Sequence, residues 1–95
     1  MGLGPDGHTA SLFPGHPALH AGGVAVAVHD SPKPPPERVS FSLPLIARAR
    51  YTLLLATGEG KREALARVRA QDPDLPVARL TEGLDEILCD EAAAG

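Results

Sequence analysis

The chain is poor in aromatic rings, in cysteine and in basic charge, and each shortage excludes something. Tryptophan is absent, and Phe13, Phe41 and Tyr51 are the only Phe or Tyr rings in 95 residues. The 43% of residues that are apolar must therefore pack a core mainly from Ala, Val and Leu. The single cysteine, Cys89, excludes an intrachain disulfide and a cysteine-rich zinc site. Lys and Arg number 9 against 12 Asp and Glu, a net charge of −3. Sequence-independent nucleic-acid binding needs a dense basic surface, which this balance does not supply. No apolar run approaches the roughly 18 residues of a membrane-spanning helix, and no signal-peptide pattern is seen. The expectation is a cytoplasmic protein with neither nucleic acid nor membrane as partner.

Glycine and proline, by contrast, are abundant at ten each. That is too many for a helical bundle and points to one loop-rich α/β or α+β domain over residues 1–95. Val24 to His29 reads as a strand. Asp30 to Glu37 holds four prolines, which exclude helix and central strand alike and predict a stiff surface loop. Val39 to Leu43 alternates apolar and polar residues, as a half-buried strand does. Pro44 closes that strand, and Leu45 to Arg50 reads as a short helical segment. Tyr51 to Thr57 is a near-continuous apolar run, expected of a parallel-sheet strand buried on both faces. Gly58-Glu59-Gly60 then turns the chain into a helix over Lys61 to Ala70, with Ala64, Leu65 and Val68 inward. Pro76 to Leu80 reads as an edge strand. Gly83 to Ala93 reads as an amphipathic helix with Leu84, Ile87 and Leu88 on one face and Cys89 as a small core residue. Strand, glycine turn and helix in succession define an α/β class with a partly parallel sheet flanked by helices.

The chemistry concentrates at the start. Gly2-Leu3-Gly4-Pro5-Asp6-Gly7 satisfies a bare GxGxxG pattern. A dinucleotide fingerprint also needs a long helix after it, and Pro14 and Pro17 leave no room for one, so no organic cofactor is expected. Two readings of the stretch remain open from residue types alone. Asp6 and His8, either side of a residue with no side chain, form a polar turn that caps the next segment. Alternatively they share a proton or aim at one substrate atom, with imidazole suited to general-base work near neutrality. Lys61 at a helix start could meet an anion, as could Arg38 between the proline loop and a strand; solvated surface cations are the plain alternative. His16 and His20 are four apart, but Pro17 and the want of a third ligand oppose a metal site. Lys33 and the Arg62, Arg67 and Arg69 group read as solvated.

Gly2 to Pro14, GLGPDGHTASLFP, resembles the signature of the 6-phosphogluconolactonases almost residue for residue. Ser31-Pro32-Lys33-Pro34-Pro35-Pro36-Glu37-Arg38 resembles that family's second hallmark, and Thr57-Gly58-Glu59-Gly60-Lys61 its third. The resemblance implies a Rossmann-like fold shared with glucosamine-6-phosphate deaminases. It also implies hydrolysis of 6-phospho-D-glucono-1,5-lactone without metal or cofactor. His8 would activate water, and Asp6 would orient His8 or the water. Arg38 and Lys61 would hold the substrate phosphate, and the loop around Gly4 and Gly7 would help hold the oxyanion. The deaminases carry a catalytic glutamate five residues after the histidine, where this chain has Phe13, so the lactonase branch is implied. The match covers the C-terminal part of the family's usual chain. An incomplete domain is therefore expected, one that self-associates or lacks its N-terminal half. A non-catalytic fragment, a sugar-phosphate-binding module and a deaminase-like isomerase stand as alternatives.

Overall fold

A computed structural model describes residues 1–80 and 84–95. Two small sheets divide the molecule. The hairpin pairs β1 (Ala25–Val28) with β2 (Arg38–Phe41) antiparallel, Ala25 opposite Phe41 and Val28 opposite Arg38. The second sheet pairs β3 (Leu53–Ala56) with β4 (Glu86–Cys89) in parallel, Leu53 opposite Glu86 and Ala56 opposite Cys89. The first residues of the chain lie along the other side of β3. Gly2 bridges Leu55 in parallel, and the Leu55 amide donates to the Met1 carbonyl at 2.8 Å. The glycine-rich loop thus leaves the end of a strand-like segment beside β3.

Three helices complete the structure. Ser42 caps α1 (Leu43–Ala47), its Oγ accepting from the Leu45 amide at 3.2 Å. Pro44 sits in that first turn, where its missing N–H costs nothing. The helix α2 (Arg62–Arg69) turns Ala64, Leu65 and Val68 inward, as its periodicity expects. The short α3 (Glu91–Ala94) is capped by Asp90. One core cluster joins Leu54 and Ala56 of β3 to α2, with Leu3, Leu75, Val77 and Ala93. A second joins Val26 and Val28 of β1 to Leu12, Leu19, Leu43, Ile46 and Leu80, and Met1 packs against both.

Several expectations fail, each for a physical reason. Pro76–Leu80 forms a 3-10 turn, not an edge strand, and it drives Val77 and Leu80 into the cores. The final amphipathic helix is instead β4 followed by α3; Gly83, its expected start, lies outside the described residues. Leu84, Ile87 and Leu88 fit a helical stripe, but pairing with β3 supplies the backbone bonds, and Cys89 faces the first core from a strand. The run around β3 is not buried on both faces: Leu54 is fully buried, whereas Leu55 is 52% exposed and Tyr51, outside the strand, is exposed with its hydroxyl donating to Glu86. In β2 the alternation runs in the opposite sense from the one its composition suggests. Ser40 is buried, while Val39 and Phe41 face outward, Val39 at 78% exposed.

Candidate active site

The glycine loop is fastened by its own backbone. The Gly4 amide donates to the His8 carbonyl at 2.8 Å and the Gly7 amide to the Gly4 carbonyl at 2.9 Å. Thr9 Oγ1 donates to the Gly2 carbonyl at 2.8 Å, tying the loop's exit to its entry. Both glycines are required by close approach. A Cβ on Gly4 would stand 2.1 Å from His8 Nδ1 and 2.9 Å from Asp6 Oδ1. Gly7 has φ 91°, and a Cβ there would stand 2.2 Å from a methyl of buried Leu75. Both amides are thus bonded inside the loop, Gly4 to His8 and Gly7 to Gly4. They shape the loop so that the imidazole can fold back over it.

Asp6 and His8 come together as expected. His8 Nδ1 lies 2.5 Å from Asp6 Oδ1, and the His8 amide donates to the same oxygen at 3.1 Å. Burial works against the Asp6 charge, but these bonds outweigh it and hold the carboxyl below its ordinary range, with Lys33 adding a small favourable field. A carboxylate on Nδ1 favours the tautomer with the proton on that nitrogen, which leaves a lone pair on Nε2. Nε2 has no protein partner among the described residues. The ring's face packs on Phe13, centroids 4.6 Å apart and planes at 34°.

His8 lines a pocket of about 380 Å³ with Gly2, Leu3, Gly4, Pro5, Thr9, Ala10 and Lys61. Lys61 reaches it from the end of a 3-10 turn that enters α2, and its Nζ donates to the Leu3 carbonyl. An ammonium has three donors, so two remain for an anion. Asp90 props the turn that delivers Lys61, its carboxylate accepting from the Gly58 amide at 3.1 Å.

Arg38 is elsewhere. Its Nε donates to the Pro35 carbonyl at 3.0 Å, and Nη2 to the carbonyls of Lys33 at 3.0 Å and Pro34 at 2.8 Å. Nη1 reaches Ser11 Oγ at 3.4 Å, and the guanidinium carbon lies 5.3 Å from the Phe13 ring centroid. His16 has both ring nitrogens engaged, Nδ1 accepting from the Ala18 amide at 3.0 Å and Nε2 donating to the His29 carbonyl at 2.6 Å. It caps a 3-10 turn at Pro17–His20.

Sequence reasoning missed the supports. Phe13, read as a ring of the core and as the absence of a glutamate, packs against the His8 ring. Ser40 accepts from the Ser11 amide at 3.1 Å and holds the loop from β2. Thr9, Leu75 and Asp90 had no motif to mark them. The signal for Ser40 was present, a small polar residue at the centre of an alternating strand, but nothing in the pattern said which face was inward.

This loop, emerging beside a parallel pair with a helix after it, defines an α/β fold that known structures share. The chain matches the crystal structure of devB protein with a TM-score of 0.82 at 33% identity, covering 98% of this chain and 41% of that one. It matches 6-phosphogluconolactonase from Trypanosoma brucei with a TM-score of 0.77 at 38% identity, covering 98% of this chain and 39% of that one. The 6-phosphogluconolactonase of Rattus norvegicus is 48% identical over 99 residues, 99% of this chain and 38% of the rat protein. The family model for glucosamine-6-phosphate isomerases/6-phosphogluconolactonase matches residues 1–89, and the chain belongs to that family. It spans well under half the length of these relatives. Among the described residues no helix is long and apolar enough to cross a membrane.

Proposed function

We propose that this chain hydrolyses 6-phospho-D-glucono-1,5-lactone to 6-phosphogluconate, with His8 as general base. His8 Nε2 takes a proton from water as the water oxygen attacks the C1 carbonyl. The C1–O5 ring bond then breaks, and the departing ring oxygen takes that proton back from the imidazolium. Asp6, on Nδ1, keeps Nε2 the basic nitrogen and stabilises the imidazolium while it lasts. Lys61, which lines the same pocket, meets the phosphate as a point charge. The observation that carries this reading is the Asp6–His8 pair opening into the same pocket as Lys61. Metal and organic cofactor have no part in it. A deaminase-type proton transfer gains no support: the position after His8 where that chemistry keeps a carboxylate holds buried Phe13.

The test is hydrolysis of freshly prepared lactone, corrected for spontaneous opening, by the wild type and His8→Ala. A positioned general base contributes about 10²- to 10⁴-fold, so His8→Ala should lose that factor. Equal rates in the two proteins would refute the role of His8. Tight binding of 6-phosphogluconate without turnover would replace the hydrolase reading with a sugar-phosphate-binding one.

A further inference from the structure

We propose that Asp90 is a positioning residue of the phosphate site, acting through the turn from Gly58 to Lys61 that carries the Lys61 ammonium. The proposal deepens the lactonase reading and rests on Lys61 as a cation that meets the phosphate.

The register of the parallel pair brings the two segments together. Ala56 lies opposite Cys89 at the carboxyl ends of β3 and β4, so the strands finish side by side. Gly58 follows one strand and Asp90 the other, 32 residues apart in the chain. Gly2, bridged to Leu55 in parallel, sends the glycine loop out at the same end. In open parallel sheets the ligand crevice lies outside the carboxyl ends of the strands. Lysine turn, glycine loop and Asp90 all belong to that end.

The contact is a clamp on the backbone. The Gly58 amide donates to both Asp90 carboxylate oxygens, each at 3.1 Å, and the Ala93 amide donates to one of them at 2.9 Å. A second tie lies just beyond the lysine, where Arg62 Nε donates to the Ala92 carbonyl at 3.1 Å. The turn is thus held before Lys61 by Asp90 and after it by the helix that Asp90 caps. Ala93 of that helix is 1% exposed and packs in the core with Leu54 and Ala56, which anchors the clamp.

What the clamp restrains is otherwise loose. Gly58 has φ 90° and ψ 155°, a conformation that glycine alone adopts without strain. A Cβ there would meet nothing within 4 Å, so the backbone conformation and not a lack of room calls for glycine. Glycine is also the residue least able to hold one conformation unaided. The Lys61 amide donates to the Gly58 carbonyl at 3.1 Å, so the lysine backbone follows wherever Gly58 stands. Its ammonium is a point charge on a flexible stem, tied to the Leu3 carbonyl. Asp90 is not among the residues lining the pocket that Lys61 shares with His8. Its influence there passes through the turn.

A double-mutant cycle on two substrates decides it. Wild type, Asp90→Ala, Lys61→Ala and the double variant are compared on 6-phosphogluconolactone and on unphosphorylated glucono-1,5-lactone. Lys61→Ala should raise KM for the phosphorylated lactone about 10- to 100-fold. Asp90→Ala should raise it about 3- to 10-fold with kcat little changed, and leave both constants on the unphosphorylated lactone in place. In the Lys61→Ala background, Asp90→Ala should add nothing further. Asp90→Asn keeps an acceptor and a cap, so its effect should be smaller in the same direction, and it carries the test should the alanine variant not fold. Glu91→Gln, an exposed charge beside it, should change neither constant. If Asp90→Ala lowers kcat on both lactones alike, or its effect persists undiminished without Lys61, Asp90 serves only stability and the proposal is wrong. Should the wild type open neither lactone faster than water does, the hydrolase reading fails. The same cycle, read by calorimetry as binding of 6-phosphogluconate against gluconate, then still decides whether Asp90 governs Lys61.

Discussion

The parallel pair β3–β4 and the hairpin β1–β2 are alike in size, and each packs one face against a core, yet they choose that face by different rules. In the parallel pair both faces carry large apolar residues, with Glu86 the one charge on the outer face, so either phase would bury Leu or Ile. The inner face is the one that meets α2 and α3, and Leu55 opposite Leu88 is left outside. In the hairpin, β2 has one apolar and one polar face, and the polar face goes in. Half-exposed Arg38 and buried Ser40 are bonded there to carbonyls, a hydroxyl and an amide, so neither leaves its polar groups unpaired. A strand that stabilises only itself follows its hydrophobic pattern. A strand that holds a loop in place follows its hydrogen bonds.

The largest effect should come from breaking the inner face of the parallel pair. Leu54→Ala removes a fully buried side chain from the core under α2 and should cost about 2–5 kcal/mol. Leu55→Ala, one residue along and half exposed, should cost less than about 1 kcal/mol. Urea unfolding with unchanged slope and a shifted midpoint reads both. Equal losses would mean that the outer face is covered in solution, as a parallel sheet's faces usually are.

Much of this was legible in the sequence. The helix at α2 with its inward Ala64, Leu65 and Val68, the stiff proline loop and the strand at Leu53 stem from residue type and spacing, and the Asp6–His8 pair was marked by the motif that carries it. What was not legible depended on partners distant in the chain. Ile87 and Leu88 satisfy a helical stripe and a strand equally, and only the far earlier segment Leu53–Ala56 decides between them. Arg38 bonds the carbonyls of Lys33, Pro34 and Pro35, partners that only the folded proline loop brings to it. Gly4 and Gly7 were legible as a tight loop, but the contacts that require glycine there, the His8 ring and Leu75, were not.

The hairpin offers the sharper reversal. Ser40→Ala deletes the acceptor for the Ser11 amide and should cost about 1–3 kcal/mol, the penalty of a buried donor left unpaired. Val39→Ser, its neighbour on the outer face, replaces a strand-favouring apolar residue with a polar one and should cost no more than about 1 kcal/mol. Losing a hydroxyl would then be worse than losing a valine. If Val39→Ser proves the more damaging, the outer face of the hairpin is buried against something in solution and the phase argument for β2 fails.

The smallest effect distinguishes the two halves by pH. In the half built on the parallel pair, the amides of Ala93 and Gly58 hold the Asp90 carboxyl below its ordinary range. The Asp74 amide and the Arg67 guanidinium do the same for Asp72, with Arg67 Nε 2.8 Å away. Each folded-state pKa lies below the unfolded value of about 3.9, so each carboxylate contributes its stability above that pH and loses it as pH falls through the folded value. Acid should therefore loosen β4, α3 and the end of α2. Asp90→Asn keeps an N-cap side chain but removes the charge. It should lower stability modestly at about pH 7, match the wild type below the folded pKa, and flatten the fall between them. Both side chains are near water, so added salt should shrink the difference. Midpoints of urea unfolding from about pH 7 down to about pH 2, for wild type and Asp90→Asn, measure it. Parallel acid limbs in the two proteins would show that Asp90 titrates alike folded and unfolded, and that the turn delivering Lys61 is held without its charge.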